Sequence, residues 1–233
     1  ETAYWIRPLD WSSDVCSSDR TELGTVNTEK FIALAEETRH IISIGEWVLY
    51  QACSDFVKLR HEKYALEHVS INVSSIQLIH SDMPATLTRV IAATGIEPQQ
   101  IELEITESYI ATDTDVVLQT LHEIRAMGIM LAIDDFGTGY SSMSYLQKLP
   151  VTRLKIDKSF IDGLPDSQEN VAITKAIIAL ARTFGLKITA EGVETEAQMT
   201  LLKELQCDEI QGYFYAKPLT IEALKTFYKS HNA

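Results

Sequence analysis

Two adjacent aspartates, Asp134 and Asp135, follow an apolar run at residues 129–133 and precede a glycine-containing loop at residues 136–142. Neighbouring carboxylates repel each other unless a cation or a proton lies between them. Glycines allow the loop backbone to turn sharply and to approach a ligand. An isolated pair of this kind could also cap a helix or form buried salt bridges. The pair alone therefore indicates a cation site only weakly.

Polar side chains also stand at the ends of other apolar segments. In chain order these candidate site residues are Asn72, Glu104, Glu107, Asp134, Asp135, Lys155, Glu191, Glu194 and Gln211. If the segments are strands of a parallel barrel, their carboxyl ends meet at one mouth. Amide and carboxylate oxygens form a hard oxygen site, which suits Mg²⁺ or Mn²⁺ rather than zinc. Two such ions about 4 Å apart are the arrangement that hydrolyses phosphodiesters by in-line attack, and a lysine beside them can orient hydroxide or neutralise charge on phosphate.

The elements that must position these residues alternate between strand and helix patterns. The strand patterns lie at residues 68–73, 100–106, 129–134, 153–157, 186–191 and 209–213, and the helical patterns between them at 85–94, 115–127, 171–184 and 195–205. Six consecutive strand-helix units predict a parallel sheet. Helical patterns at 29–38 and 44–60 leave room for about two more units. The prediction is an α/β fold, a (β/α)8 barrel of the TIM type in a single domain over residues 21–233.

Charged residues alternate with apolar residues inside two of the predicted strands. Glu102 and Glu104 occupy alternate positions of the strand at 100–106, and Lys155 and Asp157 do the same in the strand at 153–157. The apolar positions can face the helices while the charges face inward. Charges toward a barrel axis are unusual unless that end of the barrel binds something.

Composition excludes several classes of protein. The 233 residues are 45% hydrophobic, which is enough for one sizeable core. The net charge of −13 argues against a DNA- or RNA-polymer partner, although bound divalent cations would still permit a small phosphorylated ligand. The three cysteines and six histidines show no zinc-ligand spacing, and the cysteines indicate a reducing, cytoplasmic compartment.

No targeting or spanning segment is visible in the sequence. No stretch is apolar enough to cross a membrane and no secretory signal is present, so we expect no membrane contact within this chain. The chain begins with Glu1 rather than methionine, and we expect it to be a piece of a longer protein. Domains outside it could anchor the parent protein to a membrane.

Three motifs, at residues 134–142, 154–157 and 191–194, resemble in order and spacing those of the EAL domain. This bacterial phosphodiesterase family opens cyclic di-GMP to the linear dinucleotide pGpG. The resemblance extends from about residue 23 to residue 224. It implies a TIM-type barrel, a site for two Mg²⁺ or Mn²⁺ ions, cyclic di-GMP as the ligand and a homodimer.

The resemblance also implies individual roles. Asn72, Glu104 and Asp134 would bind one metal ion, and Asp134 and Asp135 would bind the second. Lys155 would hold the nucleophilic water. A simpler interpretation of Lys155 is that it only neutralises inward-facing carboxylates.

Four further residues would complete the site according to the same resemblance. Glu191 would act as general base or as a ligand of the second metal ion, and Glu194 and Gln211 would shape the substrate pocket. Glu107 would brace the loop at 136–142, which in the family couples the site to a dimer interface. Two alternatives remain open: Glu107 could cap the following helix, and Gln211 could satisfy a backbone group.

The chain departs from the family at its amino terminus. The Glu-Ala-Leu triplet that names the family, and the arginine that follows it and binds substrate phosphate, are both absent; residues 11–20 lack the apolar alternation of a strand. The missing glutamate is a metal ligand in the family, so its loss should weaken the first metal site. Residues 14–19 match the translation of a common sequencing-adapter string, and we therefore expect residues 1–20 to be partly foreign. The alternative is a degenerate member of the family with Asp14 near the position of the missing ligand.

Three functions follow from these observations. The leading one is metal-dependent hydrolysis of cyclic di-GMP. It is favoured because the chain has six residues that match the family's site: Asn72, Glu104, Asp134, Asp135, Lys155 and Glu191. The second is a receptor without enzymatic activity, which the missing triplet and arginine favour. The third is a dimerisation scaffold, which would not need so many interior charges.

Overall fold

A computed structural model of the chain describes residues 27–107, 115–139 and 143–231. These residues form two compact units. The amino-terminal unit contains residues 27–105 and 115–130, and the carboxy-terminal unit contains residues 106–107, 131–139 and 143–231. The segment predicted to be atypical, residues 1–20, lies outside the described residues.

The amino-terminal unit packs helices around a pair of parallel strands. Its elements are α1 (Thr28–Glu37), α2 (Ile41–His61), β1 (Val69–Asn72), α3 (Ser75–His80), α4 (Met83–Thr94), a 3₁₀ turn (Pro98–Gln100), β2 (Ile101–Thr106) and α5 (Asp115–Ala126). β1 and β2 pair in parallel. The long helix α2 contacts β1, α3 and α4, and buries Leu49, Phe56 and Leu59 almost completely. Burial of this apolar face is the main source of the unit's stability.

Side-chain caps fix where the helices of this unit begin. The side chain of Asn27 accepts a hydrogen bond from the backbone N–H of Lys30 at the start of α1. Asp82 does the same for the backbone N–H of Ala85 in α4. Each cap satisfies one of the N–H groups that a helix leaves without a partner in its first turn.

The carboxy-terminal unit contains four parallel strands in chain order. Its elements are β3 (Met130–Phe136), α6 (Met143–Leu146), β4 (Arg153–Ile156), α7 (Lys158–Ile161), α8 (Gln168–Thr183), β5 (Lys187–Ala190), α9 (Glu196–Glu204), β6 (Glu209–Ile210) and α10 (Ile221–His231). β4 pairs with β3 and β5, and β5 pairs with β6. α8 packs on β4 and β5. Each strand-helix-strand connection brings the next strand back in parallel.

All six predicted strands are present, and the predicted α/β class is confirmed. Five agree with the sequence pattern to within two residues at each end, whereas β6 has only two residues, Glu209–Ile210. Within the described residues, α1 and α2 are joined by a turn at 38–40 with no strand between them. The helices α3, α6, α7 and α10 were not predicted.

Three of the four charges predicted to face inward, Glu102, Glu104 and Lys155, are buried, whereas Asp157 is partly exposed. Glu102 and Glu104 are 0% and 2% exposed. Ser70 donates a hydrogen bond from Oγ to Oε1 of Glu102, a distance of 3.0 Å. In the other unit, Arg153 Nη1 lies 2.8 Å from Glu209 Oε1. Buried charges are tolerated when they are paired in this way.

None of the described helices combines the length and the apolar character needed to cross a membrane.

Candidate metal and substrate site

A bulge in β3 explains how two successive aspartates can serve one site. The register between β3 and β4 shifts between Ile133 and Phe136, so Asp134 and Asp135 together lie opposite the single residue Lys155. Successive side chains of a regular strand point to opposite faces. Here Asp135 adopts a left-handed backbone conformation with a φ of 54°. The extra residue and the change of backbone direction allow both carboxylates to face the same region.

Lys155 lies at the centre of the acidic group in the carboxy-terminal unit. Its side chain is 2% exposed, and Nζ lies 3.0 Å from Asp134 Oδ1 and 2.6 Å from Glu191 Oε1. Glu191 directly follows β5, and its backbone N–H bonds the carbonyl of Ile156 at 3.1 Å. The ammonium group therefore bridges one carboxylate of β3 and one that directly follows β5.

Three carboxylates around this lysine could hold a cation. Asp134, Asp135 and Glu191 each offer an oxygen, and these oxygens lie within 4.8 Å of one another. Oxygen donors alone, with no sulfur or imidazole, match the preference of Mg²⁺ or Mn²⁺. This unit brings together the predicted ligands Asp134 and Asp135 with Glu191, which was predicted as a general base or as a ligand of the second metal ion.

The surroundings of Asp135 favour the protonated form of its carboxyl group. Burial, and then the negative charges of Asp134 and Asp157, raise the pKa of Asp135 to about 6, while the nearby Lys155 opposes the shift. The raised pKa is the response expected of a carboxyl group among other carboxylates in a partly dry site. A divalent cation would relieve the same repulsion.

Asp157 also belongs to this group, although its sequence position predicted no role in the site. Its carboxyl group is near that of Asp135 and contributes to the raised pKa of Asp135. It also caps α7, because Oδ1 accepts a hydrogen bond of 3.0 Å from the backbone N–H of Ser159. The available signal was the alternation that places Asp157 and Lys155 on the same side of one strand.

Glu107 makes the contacts expected of a residue that braces the loop after β3. Its Oε2 accepts hydrogen bonds from the backbone N–H groups of Gly137 at 2.7 Å and Gly139 at 3.3 Å. Gly137 has a φ of 103°, and a Cβ there would lie 2.8 Å from the ring of Phe160. The loop therefore needs glycine at this position. The last three residues of the predicted loop, and the helix start that Glu107 could cap, lie outside the described residues.

Glu194 and Gln211 lie at neighbouring points near the ends of β5 and β6. Glu194 Oε1 is 2.6 Å from Nζ of Lys158, and this hydrogen bond raises the pKa of the lysine. Both side chains are about half exposed. The backbone of Gln211 bonds Ala190 at 2.8 Å and Val193 at 3.0 Å, which extends the sheet beyond β6. The pairing of Glu194 with Lys158 was not predicted.

The two predicted ligands of the amino-terminal unit are direct neighbours. Asn72 ends β1 and Glu104 lies beside it in the parallel register of β2. The ladder continues for one more bond, from the N–H of Val73 to the carbonyl of Glu104 at 2.9 Å. Asn72 is exposed and Glu104 is buried. One unit therefore presents an amide and a carboxylate on adjacent strands.

Comparisons with known proteins identify the family. The EAL domain model matches residues 15–218. The bifunctional diguanylate cyclase/cyclic di-GMP phosphodiesterase MucR of Pseudomonas aeruginosa is 41% identical over 201 residues, which are 86% of this chain and 29% of that protein. The chain thus spans less than a third of the length of this curated relative.

Solved structures are similar as well. The PaMucR phosphodiesterase in complex with c-di-GMP superposes with a TM-score of 0.83 and 40% identity, over 88% of this chain and 83% of that chain. A manganese/c-di-GMP complex of Klebsiella pneumoniae BlrP1 has a TM-score of 0.72 and 28% identity, over 84% of this chain and 49% of that one. These similarities confirm the predicted TIM-type α/β fold class. The chain belongs to the EAL domain family.

Proposed function

We propose that this chain is a metal-dependent phosphodiesterase that hydrolyses cyclic di-GMP to linear pGpG. The observation that carries the proposal is the group of Asp134, Asp135 and Glu191 around the buried ammonium group of Lys155. Three carboxylates at such short separations are costly without cations, and they are suited to binding them. The c-di-GMP complexes of related EAL structures support the same ligand for this chain.

The donor chemistry of these residues supports a site for two Mg²⁺ or Mn²⁺ ions. Asn72, Glu104 and Asp134 would bind one ion, and Asp134 and Asp135 the other. All the donors are amide or carboxylate oxygens, the ligands that these hard cations prefer. The bound ions would supply an activated water and would stabilise negative charge on phosphate. Without the family's Glu-Ala-Leu glutamate, the first ion would be held more weakly.

Two residues of the chain would act on the attacking water. Lys155 donates hydrogen bonds from a buried, fixed position and orients the water toward phosphorus. Glu191, 2.6 Å from the same ammonium group, accepts a proton as general base or serves as a further metal ligand. Both roles need the side chains held before the substrate binds, and the ion pairs support that.

The remaining predicted site residues would shape the substrate pocket. Glu194 and Gln211 stand near the carboxyl ends of β5 and β6, and Glu107 holds the loop after β3 through two backbone N–H groups. We also propose that the chain forms a homodimer whose interface is coupled to this loop. We propose a cytoplasmic location as well, and the buried free thiols of Cys53 and Cys207 support it.

A second candidate function is a cyclic di-GMP receptor without hydrolytic activity. The absence of the Glu-Ala-Leu triplet and its arginine favours it.

We propose that residues 1–20 are partly foreign and that residues 21–233 form the EAL-type domain. Fresh sequencing of the source locus that returned the same codons for residues 14–19 would contradict the foreign origin.

The test is to incubate the purified chain with cyclic di-GMP and Mg²⁺ or Mn²⁺ and to follow pGpG by chromatography. Product that disappears with a chelator and with Asp134→Asn supports the phosphodiesterase. Micromolar binding without product selects the receptor, and the absence of binding leaves a scaffold. Unchanged turnover by Asp134→Asn contradicts the proposed metal site. If the chain is inactive, a Glu-Ala-Leu-Leu-Arg segment placed within residues 1–20 should restore turnover.

A further inference from the structure

The turn that follows Asn72 is tied to helix α1 through one hydroxyl group. Ser74 lies two residues after Asn72, and its Oγ donates a hydrogen bond of 2.5 Å to Oε1 of Glu36. The same Oγ accepts a hydrogen bond of 3.2 Å from the backbone N–H of Ile76 and so caps α3. The hydroxyl therefore joins three parts of the unit: α1, the turn after β1 and the start of α3.

Gln77 fixes the same turn from the side of α2. Its Oε1 accepts a hydrogen bond of 3.2 Å from the backbone N–H of Ser74, which completes a capping box. The Gln77 side chain is buried against Gly45 of α2, where a Cβ would lie 2.1 Å from Nε2. No side chain larger than hydrogen fits at position 45 unless Gln77 moves. The packing of α2 therefore holds Gln77 in the conformation that caps α3.

Asn72 depends on this turn for its position. Its side chain is exposed, so packing does not hold it. Its backbone is held on one side by the pairing with Glu104 and by the Val73 N–H bond to the same residue. On the other side, only one residue separates Asn72 from the hydroxyl that bonds Glu36. A displacement of Ser74 would reach Asn72 through the single intervening residue, Val73.

We propose that Glu36 is a positioning residue for Asn72 and acts through the hydroxyl of Ser74. This inference rests on the proposed function, in which the amide oxygen of Asn72 binds a metal ion. A carboxylate acceptor makes the Ser74 hydrogen bond stronger than a neutral one. Removing a group that hydrogen bonds a metal ligand directly commonly changes metal affinity by about 10- to 100-fold, and Glu36 acts one step further away, through Ser74, so we expect an effect near the lower end.

The first part of the test is metal affinity, measured by calorimetry with Mn²⁺ alone. Glu36→Ala and Ser74→Ala should each weaken Mn²⁺ binding about tenfold, at the lower end of the range for such contacts. The double variant should be little weaker than Ser74→Ala alone, because that variant already removes the hydrogen bond to Glu36 together with the cap of α3. Glu36→Gln, which keeps an acceptor oxygen, should lose less than Glu36→Ala. The matched control is Glu37→Ala, an exposed neighbour on α1, which should leave Mn²⁺ affinity unchanged.

The second part observes Asn72 without metal, through the NMR signals of its side-chain amide in the full chain treated with chelator. Glu36→Ala and Glu36→Gln should shift or broaden these signals, and Glu37→Ala should not. A lower melting temperature with unchanged Asn72 signals would show that Glu36 only tethers α1, and would overturn the inference. If the unchanged chain binds no Mn²⁺, the proposed metal site fails, while the NMR comparison still decides whether Glu36 positions Asn72.

Discussion

Replacement of Lys155 by methionine tests the charge balance at the centre of the site. The side chain is 2% exposed and forms ion pairs of 3.0 Å with Asp134 and 2.6 Å with Glu191. Methionine fills a similar volume but leaves the carboxylates without their cation. Removing one partner of a buried ion pair costs roughly 3–5 kcal/mol in the free energy of unfolding. For a chain of this size, that corresponds to a fall of roughly 6–20 °C in melting temperature.

The chain offers a matched control for this variant. Lys158 forms an ion pair of the same length, 2.6 Å with Glu194, but both side chains are about half exposed. An exposed pair contributes at most about 1 kcal/mol, so Lys158→Met should lower the melting temperature by no more than about 4 °C.

Thermal unfolding of both variants in chelator, and then in Mn²⁺, measures the difference. Mn²⁺ should raise the melting temperature of Lys155→Met more than that of the chain without the substitution, because the ion supplies the positive charge that Lys155 otherwise provides. Equal melting temperatures for the two variants in chelator would refute the argument that Lys155 neutralises the acidic group.

Three other changes have defined outcomes. Gly137→Ala should reduce the free energy of unfolding by roughly 1–3 kcal/mol in urea titrations, because φ is 103° and the new Cβ would lie 2.8 Å from Phe160. Asp135→Asn should flatten the pH dependence of stability in chelator. The pKa of about 6 in the folded chain exceeds the ordinary value of 3.8, so this contribution to stability is present below pH 3.8 and is lost as pH rises through about 6. Glu107→Ala should speed amide exchange at Gly137 and Gly139 roughly tenfold or more, because each N–H loses a carboxylate acceptor.

Each of these outcomes can be contradicted. Full stability of Gly137→Ala would mean that the loop after β3 relaxes without cost. An unchanged slope between about pH 4 and pH 7 in Asp135→Asn would assign the proton uptake to another group. Unchanged amide exchange at Gly137 and Gly139 in Glu107→Ala would show that Glu107 does not brace the loop. The control for Glu107→Ala is Glu123→Ala, a matched variant on α5.

The sequence was sufficient to predict the strands because their signals are local. Period-two alternation in Ile101–Thr106 marks β2, and the apolar run before Asp134 marks β3. The short helices α6 and α7 have four residues each, too few to show a helical period. The strand β6 is shorter than its pattern, because the regular pairing with β5 ends at Ile210 and only single backbone bonds of Gln211 follow it.

The geometry inside the site could not be predicted from the sequence. The bulge that places Asp134 and Asp135 opposite Lys155 depends on the register with β4, which no local pattern specifies. The pairing of Lys158 with Glu194 joins residues 36 positions apart. Sequence spacing identified which residue types gather at the strand ends, whereas their distances and pairings depend on tertiary packing.

The most direct test of the proposed phosphodiesterase site is an anomalous-scattering map of crystals of the chain grown with Mn²⁺ and cyclic di-GMP. We predict two manganese peaks, one bound by Asn72, Glu104 and Asp134 and the other by Asp134 and Asp135, with a phosphate of the ligand beside them. A single peak at Asp134 and Asp135 would show that the first metal site is lost without the Glu-Ala-Leu glutamate. Cyclic di-GMP bound with no manganese at these carboxylates would contradict metal-dependent hydrolysis by this chain.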